Sequence, residues 1–220
     1  MKFKQGNMIS GWSLALLLML APFSVQAVTA SILEPPLALN QTALDQVAQA
    51  SRVPTPIVLT QRAPEWDVSE WINGPGTTLA QLHGKVVIVE FFQLWCPGCN
   101  KFSIPLMKQW QQKFAGEIRR GEMVMLSIHT VFEGHDYQNP KRLKAFVKEK
   151  GIHHLVGIDR QMKGEHLPET MKAYRTRGTP EMAIIDRQGN IRFQKFGGFD
   201  PARVEVLIQN LLNEKSMVKK

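Results

Sequence analysis

Cysteine is nearly absent from this chain, with two residues in 220. That scarcity excludes a miniprotein stapled by several disulfides and a zinc domain built on four thiolates. No long run of lysine or arginine occurs, and the basic residues are scattered among acids rather than interleaved with aromatics. The formal net charge of +8 therefore gives little reason to expect nucleic acid as a partner. No apolar stretch reaches the ~20 residues that a membrane-spanning helix needs. Repeats and low-complexity tracts are lacking too. What remains, 44% hydrophobic and 21% charged residues, excludes a fully disordered chain, a collagen or a polytopic membrane protein. The length suits one domain, or a little more.

The first 27 residues combine a basic start (Lys2, Lys4), a short apolar region around Trp12 to Ala21, and Val25-Gln26-Ala27 ending in a small residue. That order is the pattern of a secretory signal peptide, with cleavage expected after Ala27 and Ala30 as second choice. An uncleaved anchor is the alternative, because Met8 and Ile9 can extend the apolar region. Lys2 and Lys4 are the segment's only charges, so its removal would leave +6 of the +8. Export implies a periplasmic compartment where thiols can be oxidised, and no stable membrane insertion after cleavage.

Residues 28–63 hold Pro35, Pro36, Pro54 and Pro56 among small and polar residues, which predicts a loosely ordered lead-in. The packed domain is expected over 64–213, followed by a basic tail at 214–220. Lys85–Leu94 is an almost continuous apolar run, as in a strand buried on both faces. Pro97 stands at the tolerated first turn of a helix carrying Phe102, Leu106, Met107, Trp110 and Phe114 inward. Met123–His129 reads as a second buried strand, Pro140–Lys150 as a helix and Leu155–Ile158 as a short strand. Leu167–Tyr174 reads as a helix ended by Gly178 and Pro180. Met182–Ile185 and Ile191–Phe196 form a hairpin about Asp186–Asn190, and Pro201–Leu212 is a closing helix. Strands alternating with helices argue one α/β domain with a central mixed sheet, large enough to need no staples. Both cysteines are then free for chemistry.

Cys96 and Cys99 are separated by Pro97 and Gly98, a spacing that closes a disulfide only in a tight turn. At a helix start, unpaired N–H groups and partial positive charge favour a thiolate at Cys96, lowering its pKa from about 8.5. Cys96 would then attack a substrate disulfide, and Cys99, one turn deeper, would resolve the mixed disulfide. Such chemistry needs no bound cofactor. Other readings of the pair stay open: a structural disulfide, half a zinc site completed by histidines, or two unused core thiols.

Val89–Cys99 resembles the active-site strand and helix of thioredoxin-fold proteins. Ala63-Pro64-Glu65, Trp71-x-Asn73-Gly74, Leu79-x-x-Leu82 and Gly84-Lys85-Val86-Val87 resemble the exported TlpA/ResA-type branch of the redoxin superfamily. Arg177-Gly178-Thr179-Pro180, an apolar strand and Asp186-Arg187-x-Gly189 resemble that branch's cis-proline segment. The resemblance covers about residues 63–213. It implies a thioredoxin fold with an N-terminal extension and a cis Thr179–Pro180 peptide beside the disulfide. It further implies a substrate-binding surface of Trp95, Pro97, Gly98, Thr179 and Pro180. Glu90, six residues before Cys96, matches the buried acid of thioredoxins, whose raised pKa would suit it to carry the Cys99 proton. Pro180 could instead be an ordinary turn proline, Glu90 a strand-edge residue paired with a lysine, and Trp95 a packing residue.

Gln93-Leu94 departs from the small residues common before this tryptophan, and no cation lies between the cysteines. The expectation is therefore a reductant or moderate exchanger acting on protein disulfides, supplied with electrons by a membrane or periplasmic redox partner. Gly178-Thr179-Pro180-Glu181 partly resembles cytochrome c maturation thioredoxins. Two other functions stay open. A thiol peroxidase usually carries a threonine where Gln93 stands, and a copper-binding metallochaperone module would use Cys96, Cys99 and His129. Thr130–Asn139 and Arg160–Glu169 look long enough to form a specificity surface. His135, His153, His154 and His166 read as residues of loops or faces.

Overall fold

A computed structural model describes residues 61–214. The signal segment, nearly all of the lead-in and residues 215–220 lie outside the described residues. Seven strands form one mixed sheet in the order β1-β7-β6-β3-β4-β5-β2. They are β1 (Gln61–Arg62), β2 (Val68–Ile72), β3 (Val86–Phe92), β4 (Met123–His129), β5 (Leu155–Asp159), β6 (Glu181–Ile185) and β7 (Asn190–Phe196). The helices are α1 (Ile104–Lys113), α2 (Ala115–Arg119), α3 (Pro140–Lys150), α4 (Glu169–Tyr174) and α5 (Pro201–Asn213). Among the described residues no helix is long and apolar enough to cross a membrane.

The centre of the sheet follows directly from residue type. All seven residues of β3 are buried, because β3 is flanked by β4 in parallel and by β6 antiparallel and covered on both faces. Parallel neighbours joined through helices place those helices on one face of the sheet. Here the two crossovers are α1, between β3 and β4, and α3, between β4 and β5. Val86 and Ile88 pack with Leu106, Met107 and Trp110 of α1 and with Val204, Ile208 and Leu211 of α5. Val87, Val89 and Phe91 point the other way, onto Trp66, Leu82 and Tyr174 of α4. A third cluster gathers Phe92, Cys96, Cys99 and Ile104 against Leu143 and Val147 of α3.

Two of the helix starts, those of α3 and α5, are capped by side chains. Asn139 accepts from the Arg142 N–H ahead of Pro140, and Asp200 accepts from the Ala202 N–H ahead of Pro201. Each proline occupies the turn where its missing N–H is not needed. Four features differ from the sequence reading. Gln61 and Arg62 pair with Ile191 and Asn190, so the ordered fold takes in the end of the expected lead-in. Val68–Ile72 forms an edge strand against β5, half exposed and too short to stand out by its pattern. The helix after Pro97 breaks at Phe114 rather than running on as one stripe. Glu169–Tyr174 begins two residues later than expected and stops at Arg175, a left-handed residue at φ 52°, before Gly178 is reached.

Candidate active site

The chain leaves β3 at Phe92, makes a turn through Leu94 and Trp95, and enters helix at Pro97. Asn100 holds that turn: its amide donates to the carbonyls of Leu94 (2.8 Å) and Cys96 (3.0 Å). Cys96 and Cys99 are joined in a disulfide with Cα atoms 5.2 Å apart. The Cys99 backbone N–H donates to Cys96 Sγ at 3.0 Å, so Cys96 occupies the capping position, where its sulfur receives an unpaired helix N–H. Cys96 is 6% exposed and Cys99 fully buried. Cys96 is therefore the less enclosed of the two.

Residues Cys99–Ser103 form a π-turn before α1 proper begins. Pro105 follows within the helix and cannot donate a backbone hydrogen bond to the preceding turn. The wider turn holds one extra residue, and its last member, Ser103, faces the sheet. Ser103 Oγ donates to Glu90 Oε1 at 2.5 Å, and Ser127 Oγ of β4 donates to Glu90 Oε2 at 2.6 Å. Glu90 is fully buried and has neither a lysine nor any other cation as partner among the described residues. Burial pushes its pKa above the ordinary 4.5, and the two serine hydroxyls only partly oppose that shift.

The Thr179–Pro180 peptide is cis. Gly98 lies against it so closely that a Cβ there would come within 2.8 Å of Pro180 Cδ, which is the physical reason for glycine between the cysteines. A cavity of about 390 Å³ opens beside the disulfide, lined by Trp95, Cys96, Pro97, Thr179, Arg177 and Phe132 among others. Trp95 is 44% exposed and stacks on Tyr137, with ring centroids 5.6 Å apart. The Arg142 guanidinium covers the other aromatic partner at 4.2 Å from the Tyr137 centroid. Segment 130–139 therefore builds one wall of the site. Its Gly134 has φ 65°, and a Cβ there would fall within 1.9 Å of the Trp95 ring. Gly134→Ala is expected to lower stability by about 1–2 kcal/mol through backbone strain and the clash. Thermal unfolding checks this; an unchanged melting temperature would show that the loop shifts freely off the indole.

The residues expected at the site are thus brought together: Trp95, Cys96, Pro97 and Thr179 line the cavity, Gly98 lies against Pro180, Cys99 is buried in the disulfide, and Glu90 is bonded to Ser103 of the turn that Cys99 begins. His129 is not among them. It is buried against Phe92 and within 3.3 Å of Gln138 Oε1, and burial lowers its pKa to about 4. No group of three His, Cys, Asp or Glu side chains able to hold a metal ion exists among the described residues, so Cys96, Cys99 and His129 do not make the copper site left open above. His154 is a second correction: expected on a loop or face, it is buried and bonded to Ser127. Ser103, Ser127, Asn100 and Gln138 escaped the sequence reading. Only Ser127 carried a signal there, as a small polar residue inside an otherwise apolar strand.

The comparisons agree with this geometry. Residues 59–194 match the model of the AhpC/TSA family. The curated protein DipZ of Mycobacterium bovis is 28% identical over 153 residues, 67% of this chain but 20% of DipZ, so the chain spans about a fifth of that relative's length. Among solved structures, the thioredoxin-like superfamily protein SPOA0173 is 39% identical with a TM-score of 0.66, covering 70% of this chain and 97% of that one. A thiol-disulfide isomerase from Corynebacterium glutamicum is 40% identical with a TM-score of 0.63, covering 69% and 97%. With its Cys96–Cys99 disulfide at a helix start and a cis proline beside it, the chain belongs to the AhpC/TSA family and is a thioredoxin-like redoxin.

Proposed function

We propose that this protein is a thiol–disulfide oxidoreductase that exchanges the Cys96–Cys99 dithiol with disulfides of protein substrates, working as a reductant in the periplasm. One observation carries the reading: Cys96 Sγ, on the less enclosed of the two cysteines, accepts a helix N–H at 3.0 Å while bonded to a fully buried Cys99. That arrangement supports a thiolate at Cys96 and a shielded resolving thiol at Cys99. In the reducing direction the Cys96 thiolate attacks one sulfur of a substrate disulfide, and the other leaves as a thiolate that takes up a proton. The Cys99 thiol then gives its proton to the Glu90 carboxylate and attacks Cys96. This closes the internal disulfide and releases the second substrate sulfur as a thiolate, which takes up a proton from water. Trp95, Pro97, Gly98, Thr179 and Pro180 form the surface on which the substrate chain lies. The absence of a cation between the cysteines supports moderate rather than extreme thiolate stabilisation, hence a reductant. Electrons come from a separate dithiol protein of the membrane or periplasm, and the basic, apolar and small-residue order of residues 1–27 supports export.

The test pairs two assays on the reduced protein. Insulin disulfides are expected to be reduced with turnover when a dithiol supplies electrons, and hydrogen peroxide is expected to be consumed far more slowly. Faster turnover on peroxide would replace this reading with the thiol peroxidase one. Titration of the pair against glutathione is expected to give a potential at the reducing end of the thioredoxin-like range, about −200 mV or below.

A further inference from the structure

The buried acid does not end at its two serines. Ser127 Oγ, which donates to Glu90 Oε2 at 2.6 Å, also lies 2.8 Å from His154 Nε2. Ser103, Glu90, Ser127 and His154 therefore form one continuous hydrogen-bonded chain between the sheet and the helices α1 and α3. Glu90 and Ser127 are register partners on adjacent parallel strands, and Val156, two residues beyond His154, is the partner of Ser127 on β5. The chain thus steps from β3 to β4 and on to the residue that precedes β5. Exposure is 0% at Glu90 and Ser127, 1% at Ser103 and 8% at His154, so His154 is the member nearest to water. Glu90 by itself has no contact with solvent through which to load or lose a proton.

The geometry points to a proton relay: we propose that Ser127 and His154 are positioning residues that connect Glu90 to solvent at the β5 side of the sheet, away from the disulfide. The inference rests on the reading of Glu90 as proton carrier. A serine hydroxyl can donate in one direction while accepting from the other, and can reverse both at once. With Glu90 ionised, Ser127 donates to the carboxylate and accepts from the His154 Nε2–H. With Glu90 protonated, the carboxylic acid donates to Ser127 and the hydroxyl donates to a bare Nε2. In the discharging step Glu90 passes its proton to Ser127 Oγ, the hydroxyl passes its own to His154 Nε2, and the imidazolium gives up its Nδ1 proton to a water admitted beside that nitrogen, which is buried without a protein partner. One proton leaves Glu90 and one reaches solvent.

The surroundings suit a transient rather than a stored charge. Ser103 from the π-turn and Ser127 from β4 are the polar groups on Glu90, whose β6 neighbour is Met182. Burial, and after it the neighbouring His153, lowers the His154 pKa to about 4. His154 Nδ1 is buried without a partner, and the backbone is pinned by the Asn73 amide, which donates to the carbonyls of Ile152 and His154 at 2.9 Å each. A histidine kept only for packing would gain nothing from an unpaired ring nitrogen and a hydrogen bond to an acid-bound serine.

Ser127→Ala, Ser127→Thr, His154→Gln and Glu90→Gln are compared in the full-length protein by single-turnover reduction of insulin disulfides between pH 5 and 9. Alkylation of Cys96 by iodoacetamide, which needs no resolving step, serves as control. Ser127→Ala and His154→Gln are expected to slow the resolving step by roughly tenfold and to flatten its pH dependence, with alkylation unchanged. Ser127→Thr is expected to restore the wild-type profile, and either relay variant combined with Glu90→Gln should be no slower than Glu90→Gln alone. A slow Glu90→Gln beside wild-type profiles for both Ser127→Ala and His154→Gln overturns the relay and leaves the acid's role intact. A wild-type profile for Glu90→Gln itself overturns the acid's role instead. Should Ser127→Ala fail to fold, His154→Gln decides alone by the same criteria.

Discussion

Cys96→Ser is expected to abolish disulfide exchange, by at least on the order of 10³-fold, whereas Cys99→Ser is expected to trap substrate on Cys96. The asymmetry follows from the two environments. Cys96 is the less enclosed of the two and its sulfur receives the Cys99 N–H, so removing it removes the nucleophile. Cys99 is fully enclosed by the cluster that contains Phe92, Ile104 and Leu143. No substrate reaches it directly, but Cys96 does. With serine at position 99 the first attack proceeds and the second cannot, so a covalent protein–substrate disulfide accumulates. Intact-mass analysis after reaction with a peptide disulfide reads this out as one added peptide, removable by dithiothreitol. Iodoacetamide is expected to label Cys96 first in the reduced protein. Preferential labelling of Cys99 would reverse the assignment.

Glu90→Gln is expected to slow resolution by roughly tenfold or more while making the folded protein more stable at neutral pH. Glutamine keeps the shape and still meets the Ser103 and Ser127 hydroxyls, but it carries no titrating proton. Burial raises the folded-state pKa of Glu90 above the ordinary 4.5, so the native protein holds this proton more tightly than the unfolded chain does. The resulting stabilisation is fully present below the unfolded value and is lost as pH rises through the folded one. Above that point the wild type folds around a buried carboxylate, and the variant does not. The variant's advantage should therefore be about 1–2 kcal/mol at neutral pH and should shrink towards pH 4. Thermal unfolding across pH measures it directly. An advantage that stayed constant with pH would mean that Glu90 keeps the same protonation state throughout that range.

The parts of this site that could be read from residue order are those in which chemistry and local structure coincide. Cys96-Pro97-Gly98-Cys99 after an apolar run announces a strand, a turn and a helix start. Pro180 follows Thr179 just ahead of a second apolar run. The first acts through residues a few positions away, so spacing reveals it, whereas Pro180 is marked by its place ahead of a strand although it meets Gly98 across the fold. Ser127 meets Glu90 from the adjacent strand and His154 meets Ser127 from the start of the next, and only the register of β3, β4 and β5 brings them together. Nothing local distinguishes His154 from His153, its exposed neighbour. The same holds for the edges of the sheet: β1 is two residues long, and it becomes a strand because β7 offers it unpaired backbone groups. Tyr137 and Gly134 belong to a polar segment whose length was visible but whose packing on Trp95 was not.

The π-turn at Cys99–Ser103 makes the length of this segment a variable in its own right. Because the turn carries one residue more than an α-turn, removing Ser103 would let it close to regular helix while Leu106, Met107 and Trp110 kept their places in the core. Such a deletion would spare the packing of α1 and take from Glu90 one of its two hydroxyl donors. A shortened chain and a conventional point substitution could therefore reach the same proton-handling defect by separate routes. In this fold a change in loop count, ordinarily read as a structural accident, acts as a setting of the acid beneath the disulfide.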